Sequence, residues 1–276
     1  NIPDLKIIKF PESQNLNPHE KKGLISKNRR SFVDNFTDFY LINEHQNINF
    51  FLGSKINNEI KKKIIFCKFF KYENWWIKKL KKKSNLNKKI ITVFTRQPDD
   101  VTLSVKSFVY YIDVITKIFK EFNDFKVVFK VSPTISLERK LILETLKNKK
   151  EINWKIDTGH AIEASSISNF CITILTSACL DCLAMKKKVI ELFDYSRESI
   201  KANAIFLSRK KKWVSIYSKK KLVVSAKNEK ELRSIIKKIV LKKKISKFDL
   251  SQKKFKNLTL NGNDTSTISK NIVKII

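Results

Sequence analysis

Glycine and proline are scarce in this chain, 4 and 5 of 276 residues, and so are histidine (3), cysteine (4) and methionine (1). No uninterrupted apolar run approaches the ~18 residues of a bilayer-spanning helix, which excludes that element and predicts a soluble protein. Cysteine and histidine do not show the paired spacing of a zinc centre. Cys179 and Cys182 form a CxxC, but within a helical pattern and without a second pair to complete four ligands. Cys67, Cys171, Cys179 and Cys182 all fall on apolar segments, so reduced thiols and a cytoplasmic location are expected. The chain starts at Asn1 without the charged, apolar and small-residue order of a signal peptide, and a processed or truncated chain is expected. Zinc-finger, RNA-recognition and helix-turn-helix signatures are absent, as is any internal repeat.

Acidic residues are the other deficit: Asp and Glu total 26 against 58 Lys and Arg, a formal net charge of +32. The lysines come in short runs, Lys61 to Lys63, Lys81 to Lys83, Lys210 to Lys212, Lys219 to Lys221 and Lys242 to Lys244, rather than in one arm or stripe. Abundant Lys, Asn, Ile and Phe with little Gly or Pro is also what an A+T-rich coding sequence imposes, so part of the charge is compositional. The remainder suits an anionic partner: a phosphorylated donor, an acidic glycan, or an anionic membrane surface on which the protein would be peripheral. A non-catalytic basic nucleic-acid-binding protein is the rival reading.

What the chain does contain is enough apolar surface, 42% of residues, for a sizeable core and two domains. Residues 1–52 hold strand patterns at Leu5 to Phe10, Phe32 to Ile42 and Ile48 to Leu52, too few to build a covered sheet, and read as the tail of a domain. Residues 53–88 read as a connecting segment whose Tyr72, Trp75, Trp76 and Ile77 either pack a helix against the next domain or stack on bases. In residues 89–245 strands and helices alternate. Strands are expected at Ile90 to Thr95, Phe125 to Val131 and Ile152 to Ile156. Val105, Phe108, Ile112, Ile115 and Phe119 mark one helix face, Ser136 caps a second helix, and a short third one starts at Ala161. The pattern predicts an α/β, doubly wound, Rossmann-like parallel sheet with its ligand crevice at the carboxyl ends of the strands. Two short strand-like pieces follow between Ala204 and Ala226, then a helix opened by Asn228 and Glu231. Residues 246–276 read as a C-terminal extension, with a last helix starting at Gly262-Asn263-Asp264.

The strand ends supply candidate residues: Thr95 and Arg96, Lys130 and Ser132, His160, Thr176 and Ser177. The richest stretch is Phe170 to Phe193, FCITILTSACLDCLAMKKKVIELF, which reads strand, hydroxyl-bearing turn, short helix, strand. Backbone N–H groups and the Thr176 and Ser177 hydroxyls at a helix start suit a phosphate, and Asp181 one turn on suits ribose hydroxyls. Ordinary capping accounts for the same residue types: Thr176, Ser177 and His160 as caps, Arg96 as a solvated loop charge.

With these ends aligned, the sequence resembles the C-terminal, donor-binding domain of GT-B glycosyltransferases, particularly bacterial surface-polysaccharide enzymes of the capsule, Kdo-transferase and CDP-glycerol polymer type. The resemblance covers about residues 48–276. It rests on Thr176, Ser177, Asp181, Cys182, Leu183 and Lys186 to Val189, where the family has a Ser/Thr-rich turn, Glu-Ala-Leu and Gly-Lys-Pro. It rests also on Lys130 to Pro133, where the family has Lys-x-His-Pro, on Gly262 to Asp264, and on Phe50 to Ser54 as a crossover between domains. It implies a nucleotide-sugar-dependent glycosyltransferase needing no cofactor or metal, with a glycan or lipid-linked acceptor. Thr95, Arg96, Lys130, Ser132, His160, Thr176, Ser177 and Asp181 would bind the nucleotide. Catalytic residues are unknown, since the resemblance places the base in the acceptor-side domain, of which residues 1–52 would be a remnant. Ser132 in place of the family His, and Lys186 and Lys188 in place of Gly and Pro, keep open an inactive transferase-like scaffold or a sugar epimerase.

Overall fold

The computed structural model describes residues 8–9, 37–42, 58–81, 89–99, 102–133, 137–198, 204–207, 211–259, 264 and 266–270. The chain forms two units, residues 1–76 with 256–276, and residues 77–255. In the first, strands β1 (Ile8–Lys9), β2 (Phe39–Ile42) and β3 (Ile64–Phe66) make a parallel sheet in that order, with a short helix, α1 (Asn58–Lys62), ahead of β3. Leu41, Cys67 and Ile268 form its small core, on which Ile8, Ile65 and Phe70 pack, and burial pushes the Cys67 thiol up to about 12. Ile268 belongs to a helical stretch, residues 266–270, capped by Asp264, whose Oδ1 accepts the Thr267 N–H at 2.9 Å. The expected strand at Ile48 to Leu52, the crossover at Phe50 to Ser54, the Ser136 cap and Gly262-Asn263 lie outside the described residues. Helix α2 (Asn74–Leu80) carries the paired indoles; Trp75 is 55% exposed and donates to Glu73.

The second unit contains eight strands, β4 (Ile90–Phe94), β5 (Lys126–Lys130), β6 (Trp154–Asp157), β7 (Phe170–Thr173), β8 (Lys188–Leu192), β9 (Ala204–Leu207), β10 (Lys212–Ser215) and β11 (Val224–Ala226). Six form an all-parallel sheet in the order β11-β8-β7-β4-β5-β6, while β9 and β10 pair as an antiparallel hairpin. The order reverses between β4 and β7, as in a doubly wound sheet. Among the described residues, helices α3 (Val105–Glu121), α4 (Leu137–Leu146), α5 (Ala161–Ser166), α6 (Ala178–Ala184) and α7 (Ile216–Lys219) lie between strands, and α8 (Glu229–Val240) and α9 (Ser246–Thr259) follow β11. The region expected to hold two strand-like pieces therefore holds three strands, and the third completes the main sheet. With only three residues, alternating buried, exposed, buried at a sheet edge, β11 is too short to show a period, and the apolar Leu222 and Val223 lie ahead of it. Helix α9 likewise occupies residues read only as an extension.

Register separates the sheet's two faces. Ile91, Val93, Val127, Phe129, Ile172 and Ile190 lie on one, in a core shared with Ile112 and Ile115 of α3 and Leu232 and Ile236 of α8. Phe119, Phe125 and Phe170 close one end of that core, with centroids 5.9 to 6.4 Å apart. Such rings contribute roughly 2–3 kcal/mol each on burial. The opposite face mixes polar groups with Phe94, Val128 and Val189. Thr92 lies 2.6 Å from the Ser168 hydroxyl, Ser165 of α5 lies 3.5 Å from the Cys182 sulfur of α6, and Thr173 and Glu191 are in register on β7 and β8. The four cysteines are buried and form no disulfide.

Glycine scarcity shows in the turns. Helices α6, α7 and α8 all end in the six-to-one, five-to-two hydrogen-bond pattern that normally closes on glycine. Here Lys186, Lys221 and Lys242 take the left-handed conformation, with φ of 56°, 58° and 54°. Lys186 thus stands where the resembled family has glycine. Removing its Cβ relieves a steric cost that the gain in unfolded-chain freedom only partly offsets, so Lys186→Gly should stabilise the protein by about 0.5–1 kcal/mol. A higher urea midpoint at unchanged slope is the expected result; an unchanged or lower midpoint would contradict it.

Candidate functional site

The carboxyl ends of β4 and β7 flank the point where strand order reverses, so the loops leaving them diverge and open a crevice. Arg96, two residues beyond β4, is about one third exposed and pairs with Asp99 at 3.4 Å. Beyond β7 the chain turns through Leu175, a buried residue with φ of 44°, into Thr176 and Ser177. That left-handed leucine costs on the order of 1–2 kcal/mol and aims the following hydroxyls along the sheet edge. Thr176 Oγ1 accepts the Ala178 N–H at 3.4 Å, whereas the Ser177 hydroxyl makes no bond to its own helix. Ser177 instead hydrogen-bonds the Tyr217 phenol, which also feels the Arg96 charge. Tyr217 is thus bonded to Ser177 and influenced by the Arg96 charge from a distance.

Of the other candidates Lys130 and Asp181 are buried, and Thr95, Ser132 and His160 are half-buried and hydrogen-bonded. Thr95 donates to the Glu138 carboxylate, whose second oxygen accepts the Ser132 N–H at 3.2 Å, so Glu138, 1% exposed, ties the loops after β4 and β5 together. Lys130 is buried with its ammonium 2.5 Å from the Val131 carbonyl. Burial lowers its pKa, and the charges of Asp157, Glu138 and Asp181 oppose that shift. Asp181, 4% exposed, belongs to this interior group and faces Cys179 and Cys182 as well as Lys130. It is a counter-charge inside the fold, not a carboxylate at the open side of the turn. His160 caps α5, its Nδ1 accepting the Ile162 N–H at 3.2 Å. It follows the edge strand β6, three strands from β7 in the sheet order. The structure thus places Arg96 and the Thr176-Ser177 pair, all half-buried, on the loops after β4 and β7, ties Thr95, Lys130, Ser132 and Asp181 to one another through Glu138 and through charge, and puts His160 at the start of α5.

Tyr217, Ser215, Glu191 and Glu138 were not singled out from sequence. A first-turn glutamate and a tyrosine after a short strand carry no pattern of their own; only tertiary contact gives them a role. Glu191 is the most unusual. It is 3% exposed, one oxygen accepts from the Ser215 hydroxyl at 2.7 Å, and the other has no hydrogen-bond partner. Burial pushes its pKa up to about 7, against the single lowering effect of Ser215. Near it stand Cys179, Tyr195 and Tyr217. The loop after β8 is held over this region by Glu198, which accepts the Ser104 N–H at 3.0 Å, and by the Tyr111 hydroxyl, which accepts the Asp194 N–H at 2.8 Å. Among the described residues no cluster of His, Cys, Asp and Glu is arranged to hold a metal ion, and no helix is long and apolar enough to cross a membrane.

The Glu191 carboxyl titrates higher in the folded than in the unfolded chain, so its contribution to stability is intact below about pH 4.5 and is lost as pH rises through about 7. The loss is on the order of 3 kcal/mol, and Glu191→Gln should avoid it. Urea denaturation should find the variant more stable than the parent at pH 8 and equal to it near pH 4.5. A difference that does not change with pH would contradict this.

No protein-family model matches the chain, and neither does any curated protein. Solved structures do match it. A variant of the wall teichoic acid polymerase TagF aligns with a TM-score of 0.53 at 14% identity, covering 87% of this chain and 57% of TagF. A second TagF variant gives 0.52 at 15% identity over the same shares. A protein described as a UDP-N-acetylglucosamine 2-epimerase from Listeria monocytogenes gives 0.50 at 11% identity, covering 79% of this chain and 54% of that one. The chain therefore spans a little over half the length of these structures. At such identities the likeness speaks to architecture alone, and with the strand order it shows that the second unit has the Rossmann-like fold of GT-B proteins.

Proposed function

We propose that this chain is the donor-binding half of a nucleotide-sugar-dependent glycosyltransferase of bacterial surface-polysaccharide synthesis. The observation that carries the reading is that Arg96 and the Thr176-Ser177 turn lie on the two loops flanking the reversal of strand order, in a fold shared with TagF. The nucleotide's phosphates lie at the crevice, against the Arg96 guanidinium and the Thr176 and Ser177 hydroxyls. As the acceptor hydroxyl attacks the sugar and the bond to phosphate breaks, Arg96 stabilises the negative charge left on the departing nucleotide. That neutralisation needs no metal. Thr95, Ser132, Lys130 and Asp181 act indirectly, by fixing the loops. The acceptor, a glycan or a lipid-linked one, and the catalytic base belong to the preceding domain, and the work is done in the cytoplasm. An inactive scaffold or an epimerase is the second reading, favoured by Ser132 where the resembled family has His.

A thermal-shift series with CMP, CDP, UDP and GDP tests the proposal, because a ligand of the native state raises the melting temperature. At least one nucleotide should do so; no response to any of them would overturn the reading. Arg96→Ala should weaken that nucleotide about tenfold or more, the worth of one charge-assisted hydrogen bond. Asp181→Ala, a change inside the fold, should lower the melting temperature of the free protein.

A further inference from the structure

Between Glu198 and Glu229 the chain carries nine basic residues and no acidic one. The β9–β10 hairpin lies within this stretch, outside the parallel sheet, with α7 packed on both its strands. Its register pairs Phe206 with Trp213, ring centroids 5.1 Å apart. Trp213 rests against the main core, and Phe206, 47% exposed, is left facing solvent. Around them Lys211, Lys219 and Lys221 are exposed and Lys212 is half-buried. Lys211 and Lys221 sit at left-handed turn positions, φ 44° and 58°, at the ends of their elements.

We propose that this hairpin is a docking surface for an anionic lipid bilayer. The charge has one sign, so the surface complements an acidic headgroup layer, where each lysine adds attraction. Phe206 offers a shallow apolar contact at the acyl boundary while the lysine stems lie along it with their ammonium groups among the headgroups. Single-stranded nucleic acid fits less well: it needs open aromatic faces on which successive bases stack, and the Trp213 ring is already taken by Phe206 and the core. The inference does not depend on which donor the crevice binds.

The test is co-sedimentation of the full chain with vesicles of phosphatidylglycerol and phosphatidylcholine, against phosphatidylcholine alone, at physiological ionic strength. The parent should bind only the anionic vesicles. Lys211→Glu with Lys212→Glu should lower the partition coefficient roughly thirty-fold, and Phe206→Ser about tenfold. Lys253→Glu with Lys254→Glu, an equal charge change on exposed positions of α9, should lower it no more than about threefold. Absence of binding by the parent would overturn the proposal. So would equal losses from the two lysine pairs, or a hairpin pair that weakens binding to a single-stranded oligonucleotide while vesicle binding is unchanged.

Discussion

Strand β4 is hydrogen-bonded in parallel to β5 on one side and to β7 on the other, and the rest of the second unit depends on that double pairing. The chain runs outward from β4 through β5 to β6, then crosses back to β7 and runs outward the other way. Connections on the two sides of β4 therefore cover opposite faces of the sheet, and the loops leaving β4 and β7 part from one another. The gap between them is a product of topology and needs no special residue to hold it open. Residues 81 positions apart in sequence, Arg96 and Ser177, both act on one phenol, the first through its charge and the second through a hydrogen bond.

The two faces divide the labour. One is a packed apolar layer under α3 and α8, which supplies most of the cohesion. The other carries Thr92, Lys130, Cys171, Thr173 and Glu191 under α5, α6 and α7. An interior of that kind must match its charges or neutralise them. Lys130 is matched, by Asp157, Glu138 and Asp181. Glu191 has only the Ser215 hydroxyl and holds its proton to about pH 7. Under mildly acidic conditions the lone carboxyl is therefore neutral and adds little negative charge to the polar face.

Lysine plays two parts that composition alone merges. At Lys186 and Lys242 it stands in for glycine at a helix end, where the last carbonyls of the helix are also the most favourable place for a cation. Around the β9–β10 hairpin it accompanies an exposed aromatic in a stretch free of acid, a combination that a general excess of lysine does not produce elsewhere among the described residues as an antiparallel ribbon.

The alternation of apolar runs and amphipathic helices over residues 89–245 was legible because burial on a sheet and on a helix face imposes periods of two and of 3.6 residues on a single sequence. For the same reason the Thr176-Ser177 turn, Arg96 and the class of fold could be named from local pattern. Three things could not. Strand β11 is too short to show a period, Asp181 sits at a helix position whose inward or outward sense depends on what packs over it, and Tyr217 gains meaning only by touching Ser177 from 40 residues away. Periodicity is a property of neighbours along the chain, so the sequence by itself determined which segments become strands and helices and which loops carry hydroxyl and guanidinium groups. Strand order, the sorting of eight candidates between the loops after β4 and β7 and the network around Glu138 and Lys130, and the protonation of Glu191 arise from contacts between distant segments and from the water they exclude, and only the tertiary structure decided those.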